Sequence, residues 1–386
     1  MNGVLFVTNG HGEAAIAERI ALEVRALLPE TRLDHLALVG SQTGEVMRDV
    51  GPRRPMPSGG LIAMGNARNL AQDLRAGLIG LTLAQARFLR RARNSYDAAV
   101  AVGDVYALAM AFLARARTIF VGSAKSVDVA PYGAFEERVL ARAAARFVRD
   151  DATAAALRAH GVPAEAANAI VDLFAARDDS TVDPAIAGFE PVLALFPGSR
   201  ESAYEDAGFL LDVTRELAER RPRLGGVLSI ARGLDADRFA ADARRDGWDV
   251  GVTPDATVPF VLRRGGRPIA RGWRGALGPL LTHAVLVLGQ AGTANEAAAA
   301  AAVPVVAFER DRDRKARWYR QRQRGLLGEA LEVFPGDLNA AVAGVTAILE
   351  DPARRTRMGT TGRGRMGPAG GARRIAERIA ALVEHS

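Results

Sequence analysis

The chain has no cysteine, so disulfides, thiolate metal ligands and a cysteine nucleophile are excluded. Lysine is almost missing. Lys125 and Lys315 are the only two among 51 basic residues, and 51 − 2 leaves 49 arginines. With 44 acidic residues the net charge is +7. So strong an arginine preference, in a chain rich in alanine, reads as compositional bias. No nucleic-acid motif accompanies it, so no nucleic-acid partner is expected. A weakly basic surface suits anionic lipids or sugar phosphates. Long apolar runs are also missing: "YALAMAFLA" and "GLIGLTL" are too short to span a bilayer. The start, "MNGVLFVTNG", lacks the basic region and cleavage site of a signal peptide. The expectation is a cytoplasmic protein, at most peripheral on the inner face of a membrane. The five histidines, His11, His35, His160, His283 and His385, show no ligand spacing, so no metal is expected.

What is present is alternation. Short β-branched runs such as "GVLFVTNG", "YDAAVAVGD" and "RTIFVGS" alternate with longer amphipathic helices, the pattern of parallel sheets covered by helices. A length of 386 residues favours two domains. The polar stretch 175–191, punctuated by Asp, Pro and Gly, is the linker candidate, and the pattern restarts after it at "VLALFPG". The fold expected is α/β, with two Rossmann-like domains facing a cleft: 1–180 and 190–370. A last helix, 371–386, could pack on either half and so cross back to the first. In such folds ligands bind beyond the carboxyl ends of the strands.

Four loops carry chemistry. In "TNGHGEAAIAER", Asn9, Gly10, His11, Gly12 and Glu13 join the first strand to the first helix. Glycines there admit a ligand to the backbone, and His11 suits proton transfer near neutral pH. Glu13 fits the first helical turn, where a carboxylate suits the helix dipole. The plainer alternative makes Glu13 a cap and His11 a loop residue. Asp104 ends the apolar run "AVAVGD", as a proton acceptor, a sugar ligand or simply a helix N-cap. "FPGSRES" puts Gly198, Ser199 and Arg200 in a tight turn before a helix, where free N–H groups favour an anion. "LGQAGTANEAAAA" holds Gln290, Gly292, Thr293 and Glu296, with Glu296 placed to bind a ribose diol. A further segment, Met56–Arg91, combines leucines at helical spacing with arginines. It reads as a core helix or as an apolar acceptor surface rimmed by arginine.

Taken together, "LALFPGSRES" and "GQAGTANEAA" resemble the "LLPGSR" turn and "SGTATLE" loop of bacterial lipid-A-disaccharide synthase. "NGHGEAAIAERIA", "PSGGL", "RAGLIGLTL" and "GRGRMGPAGGARRIA" are similar to its subgroup of lipid-A-disaccharide synthase-related proteins. The resemblance covers nearly the whole chain. It implies a GT-B glycosyltransferase: inverting, metal-independent and without cofactor. The sugar would move from a UDP-sugar donor to a lipid or lipid-linked acceptor. Gly198, Ser199, Arg200, Gln290, Gly292, Thr293 and Glu296 would then bind the donor. Asn9, Gly10, Ser58, Gly59 and Gly60 would bind the acceptor. Asp104 would match a cleft aspartate of the synthase, and Gly12-Glu13 its first-loop Gly-Asp. Among the catalytic candidates His11, Asp104 and Glu13, imidazole chemistry makes His11 the expected base, with Asp104 orienting it or binding the acceptor and Glu13 supporting the loop. The family's "GEASGD" first loop is altered here, with Asn9 in place of Glu and His11 in place of Ser, which separates this acceptor from a diacylated glucosamine phosphate. The alternatives are a UDP-sugar 2-epimerase-like enzyme and a catalytically inactive nucleotide-sugar-binding protein. Such epimerases show Asp-Ser-Gly-Gly before Gln-Glu-Glu, whereas this loop runs Gln290-Ala-Gly-Thr-Ala-Asn-Glu296.

Overall fold

The computed structural model describes residues 3–39, 46–54, 74–75, 77–174, 181–231, 233–310 and 314–384. The chain divides into two compact units, residues 1–173 with 368–386, and residues 174–367.

The first unit alternates strand and helix from its start. Its elements are β1 (Gly3–Thr8), α1 (His11–Leu27), β2 (Arg32–Ala37), β3 (Arg48–Asp49), α2 (Leu78–Arg91), β4 (Ala98–Gly103), α3 (Val105–Ala111), β5 (Arg117–Gly122), α4 (Ala134–Leu140), β6 (Ala145–Val148), α5 (Asp151–Ala159), β7 (Glu165–Ala166) and α6 (Ala169–Leu173). The sheet order is β3-β2-β1-β4-β5-β6-β7, and its ladders are parallel. β1 and β4 are wholly buried, as central parallel strands covered on both faces must be. β1 and β4 are neighbours while the strands on either side run outward in opposite directions, so the order reverses there. The loops after them, at 9–13 and 103–104, meet at that switch point.

The second unit holds α7 (Asp183–Ile186), β8 (Val192–Phe196), α8 (Ala203–Arg220), β9 (Gly225–Ser229), α9 (Ala236–Arg245), β10 (Asp249–Val252), β11 (Phe260–Arg264), β12 (Arg267–Trp273), α10 (Leu277–His283), β13 (Ala284–Gly289), α11 (Thr293–Ala300), β14 (Val305–Glu309), α12 (Arg314–Leu327), β15 (Leu331–Pro335), α13 (Leu338–Leu349) and α14 (Pro352–Met366). The strand order is β10-β11-β12-β9-β8-β13-β14-β15. This sheet is not purely parallel: β10 with β11 and β11 with β12 pair antiparallel. Gly265 and Gly266 sit at φ +55° and +76°, which turns β11 into β12 as a tight hairpin that only glycine enters freely.

The chain ends in α15 (Gly371–Glu384), which packs along α1 and belongs to the first unit. Its start is tied down by Asp172, a buried carboxylate that accepts from Gly370 N–H at 2.6 Å and Ala372 N–H at 2.7 Å. Asp172→Asn puts an amide donor against one of those N–H groups. It should cost about 1–1.5 kcal/mol, read as a lower Tm in thermal unfolding. Among the described residues, no helix is long and apolar enough to cross a membrane.

Candidate functional site

The first unit gathers its chemistry at the ends of β1 and β4. Asn9 donates from Nδ2 to Asp104 Oδ2 at 2.9 Å, joining the two loops. Asp104 Oδ1 accepts from Ala107 N–H at 2.9 Å, so the N-cap role anticipated from sequence is realised and its other oxygen faces the loop of Asn9. Glu13, half-buried in the first turn of α1, lies beside them. Its side chain crosses Gly103, where a Cβ would come within 2.9 Å of Glu13 Cγ, and Gly103 has φ +124°. Only glycine meets both demands.

Burial pushes the Glu13 carboxyl up to about 7; a backbone hydrogen bond opposes the rise and the Asp104 charge adds to it. A carboxyl poised near neutrality in a strand-end loop is equipped to exchange a proton. The side chain of His11 and residues Ser58, Gly59 and Gly60 lie outside the described residues. So does the whole of the 56–73 stretch. The described part of that segment has both characters expected of it: Leu81 and Leu89 are buried, while Leu74, Ile79 and Leu83 are exposed.

The second unit builds a different kind of site. β8 and β13 are parallel neighbours, with Gly289 opposite Phe196, and Gln290 N–H donates to Phe196 O at 2.8 Å. The turn after β8 and the loop after β13 therefore lie side by side, each leading into a helix. Gly198, at φ +117°, bends the first turn, and Ser199 and Arg200 stand exposed on it. Neither Ser202 before α8 nor Gly292 before α11 lends a side-chain cap to its helix. Two helix starts without a side-chain cap, with an arginine beside them, are the groups an anion site would draw on. The acids in the first turn of α8 would oppose an anion, but Arg310 binds Asp206 at 2.8 Å and Glu205 at 3.1 Å. Thr293 opens α11, and Glu296 is half-buried in its first turn.

Gln290 has a different employment from the donor contact expected of it. Its amide donates to Phe308 O at 3.0 Å and accepts from Phe308 N–H at 3.2 Å, linking β13 to β14. Three residues that sequence reasoning passed over hold the loop in shape. Gln323 donates to the carbonyls of Ala291 and Gly292 at 3.1 and 3.0 Å, and buried Asn295 donates to Gly289 O at 3.1 Å and to Gln323 at 3.1 Å. Tyr319, also on α12, places its hydroxyl where a Cβ on Gly292 would sit. Burial raises that phenol's pKa, the charge of Glu296 adds to the rise, and Arg200 and Arg322 oppose it. Thus Glu296, Arg200 and Tyr319 share one neighbourhood. Among the described residues no group of three or more potential ligands could hold a metal ion.

Comparisons place this architecture. No protein-family model matches the chain, and no curated protein does. Solved structures match over its full length. A putative UDP-N-acetylglucosamine 2-epimerase from Listeria monocytogenes is 14% identical, with TM-score 0.62, covering 100% of this chain and 97% of its own. The S. aureus MnaA–UDP structure is 12% identical, with TM-score 0.62 and the same coverage. The calicheamicin glycosyltransferase CalG4 is 15% identical, with TM-score 0.58, covering 100% and 98%. The fold is therefore GT-B, made of two Rossmann-like α/β domains.

Proposed function

We propose that this chain is an enzyme acting on a UDP-sugar, with the nucleotide held by the second unit and the proton chemistry done by the first. The observation that carries it is the pair of uncapped helix starts after β8 and β13, with Arg200 and Glu296 at their mouth. Helix N–H groups and a guanidinium suit a diphosphate, and a carboxylate suits a ribose diol. The likeness to a UDP co-structure over the whole chain supports the same ligand.

The chemical step starts with cleavage of the bond between the anomeric carbon and the UDP oxygen. Two reactions begin this way. In transfer, an acceptor hydroxyl oxygen bonds to the anomeric carbon, UDP departs with the bond electrons, and Glu13 takes the acceptor proton. The order of loops shared with lipid-A-disaccharide synthase-related proteins favours this, with a lipid or lipid-linked acceptor. In 2-epimerisation, a base removes the proton at C2 as UDP leaves. Proton and UDP then return, the proton to the opposite face. The full-length epimerase match gives this reading support at least equal to the first. Glu13 and Asp104 supply the carboxylates that either route needs.

Incubation with UDP-GlcNAc in D2O, without acceptor, separates the two. An epimerase produces the 2-epimer and incorporates deuterium at C2. A transferase leaves the sugar unlabelled and releases UDP only when a lipid extract is added. No turnover with UDP-GlcNAc or other UDP-sugars under either condition, with UDP still bound, would favour the nucleotide-sugar-binding alternative.

A further inference from the structure

β4, β5 and β6 end in one row: Gly103 lies opposite Gly122, and Gly122 opposite Val148. Over the middle of that row sits Tyr132, from the loop before α4. Its hydroxyl lies against Gly122, where even a Cβ would overlap it. The ring is fixed edge-on to Phe120 at 6.2 Å between centroids, with Lys125 Nζ 5.3 Å from its centre. Only 8% of the residue is exposed. Yet among the described residues its hydroxyl has no hydrogen-bond partner, and it is not one of the polar atoms sealed from solvent. Buried polar groups are nearly always paired, so an open, immobilised donor at the strand ends points to a ligand.

The surroundings define the ligand's chemistry. Asp104, Asp150 and Glu136 bear on the phenol, opposed by Arg149. Arg149 is buried and donates to Ser123 O at 3.2 Å. Lys125 is committed to Glu136 at 2.5 Å and to Pro131 O at 3.2 Å. Carboxylates thus outnumber the cations, which disfavours a phosphate and favours hydroxyl groups that donate to carboxylates.

We propose that the Tyr132 hydroxyl is a substrate-binding group, donating to an oxygen of an uncharged sugar ring whose own hydroxyls face Asp104 and Asp150. This rests on the UDP-sugar reading and deepens it: the first unit recognises the neutral sugar, not a phosphate. Burial and the nearby carboxylates push the phenol's pKa up, so it stays a donor across the working pH range.

The test uses the full chain and N-acetylglucosamine as probe, followed by saturation-transfer NMR. Tyr132→Phe removes one oxygen and keeps the ring against Phe120. It should weaken sugar binding about three- to tenfold. UDP affinity by calorimetry should be unchanged, and inorganic phosphate should not compete with the sugar. Unaltered sugar affinity in the variant, competition by phosphate, or a wild-type chain that binds UDP but no sugar would each overturn the proposal. A chain that binds the sugar through Tyr132 but not UDP would instead overturn the UDP-sugar reading.

Discussion

Glu13→Gln should lower turnover about 10²- to 10⁴-fold and at the same time make the protein more stable at alkaline pH. Both effects come from one displaced titration. The folded carboxyl titrates at about 7, against 4.5 for the free group, chiefly because burial penalises its charge. The unfolded chain therefore ionises first. Stability is fully present below pH 4.5, falls as the pH rises, and levels off above about 7. Discounted for the part of the residue that water still reaches, the loss is about 1–3 kcal/mol. Glutamine mimics the protonated form and escapes that loss. The Tm of the variant should exceed that of the native chain at pH 8 and converge with it near pH 4.5. As proton acceptor, Glu13 must be ionised, so kcat/KM should rise with pH through a midpoint near 7 and reach a plateau. A variant that keeps that midpoint hands the proton to another group. His11, the base expected from sequence, is then the residue to substitute next.

The second large effect belongs to the second unit. Glu296→Ala should weaken UDP about ten- to hundredfold, since a hydrogen bond to a charged group is typically worth about 1.5–3 kcal/mol. The loop itself should survive, because its shape depends on Gln323 and Asn295, which the substitution leaves in place. Calorimetry with UDP and with inorganic diphosphate separates the parts. Loss of UDP affinity with unchanged diphosphate affinity places Glu296 at the ribose. Equal loss of both places it near the phosphates and removes the ribose assignment.

Much of this was readable from the chain. β1, β4 and β5 are short apolar runs that end in Asn9-Gly10, Gly103-Asp104 and Gly122-Ser123, so period and punctuation agree about where each strand stops. The helix of Asp235 onward begins at Ala236 with Asp235 as its cap, as an N-cap residue before an amphipathic run implies. The β11–β12 hairpin went unread although "RRGGRP" carries the Gly-Gly signal. A sheet judged parallel from its alternation left no place for it. Glu13 was legible as a first-turn carboxylate, but its raised pKa was not. That depends on Gly103 and Asp104, some ninety residues away, which burial brings against it. Gln290 carries a role its position in a ligand-like loop did not announce: its amide bridges to the backbone of β14. Tyr132 and Tyr319 gave no local sign, because each acts by reaching a glycine elsewhere in the chain, Gly122 at the end of β5 and Gly292 before α11.

The claim on which the rest depends is that the second unit is a UDP site, and calorimetric titration of the full chain with UDP addresses it most directly. The expected result is one saturable site per chain, weakened in Arg200→Ala and in Glu296→Ala and unchanged in Tyr132→Phe. Absence of saturable binding by UDP and by UDP-GlcNAc, or binding indifferent to Arg200 and Glu296, would contradict it.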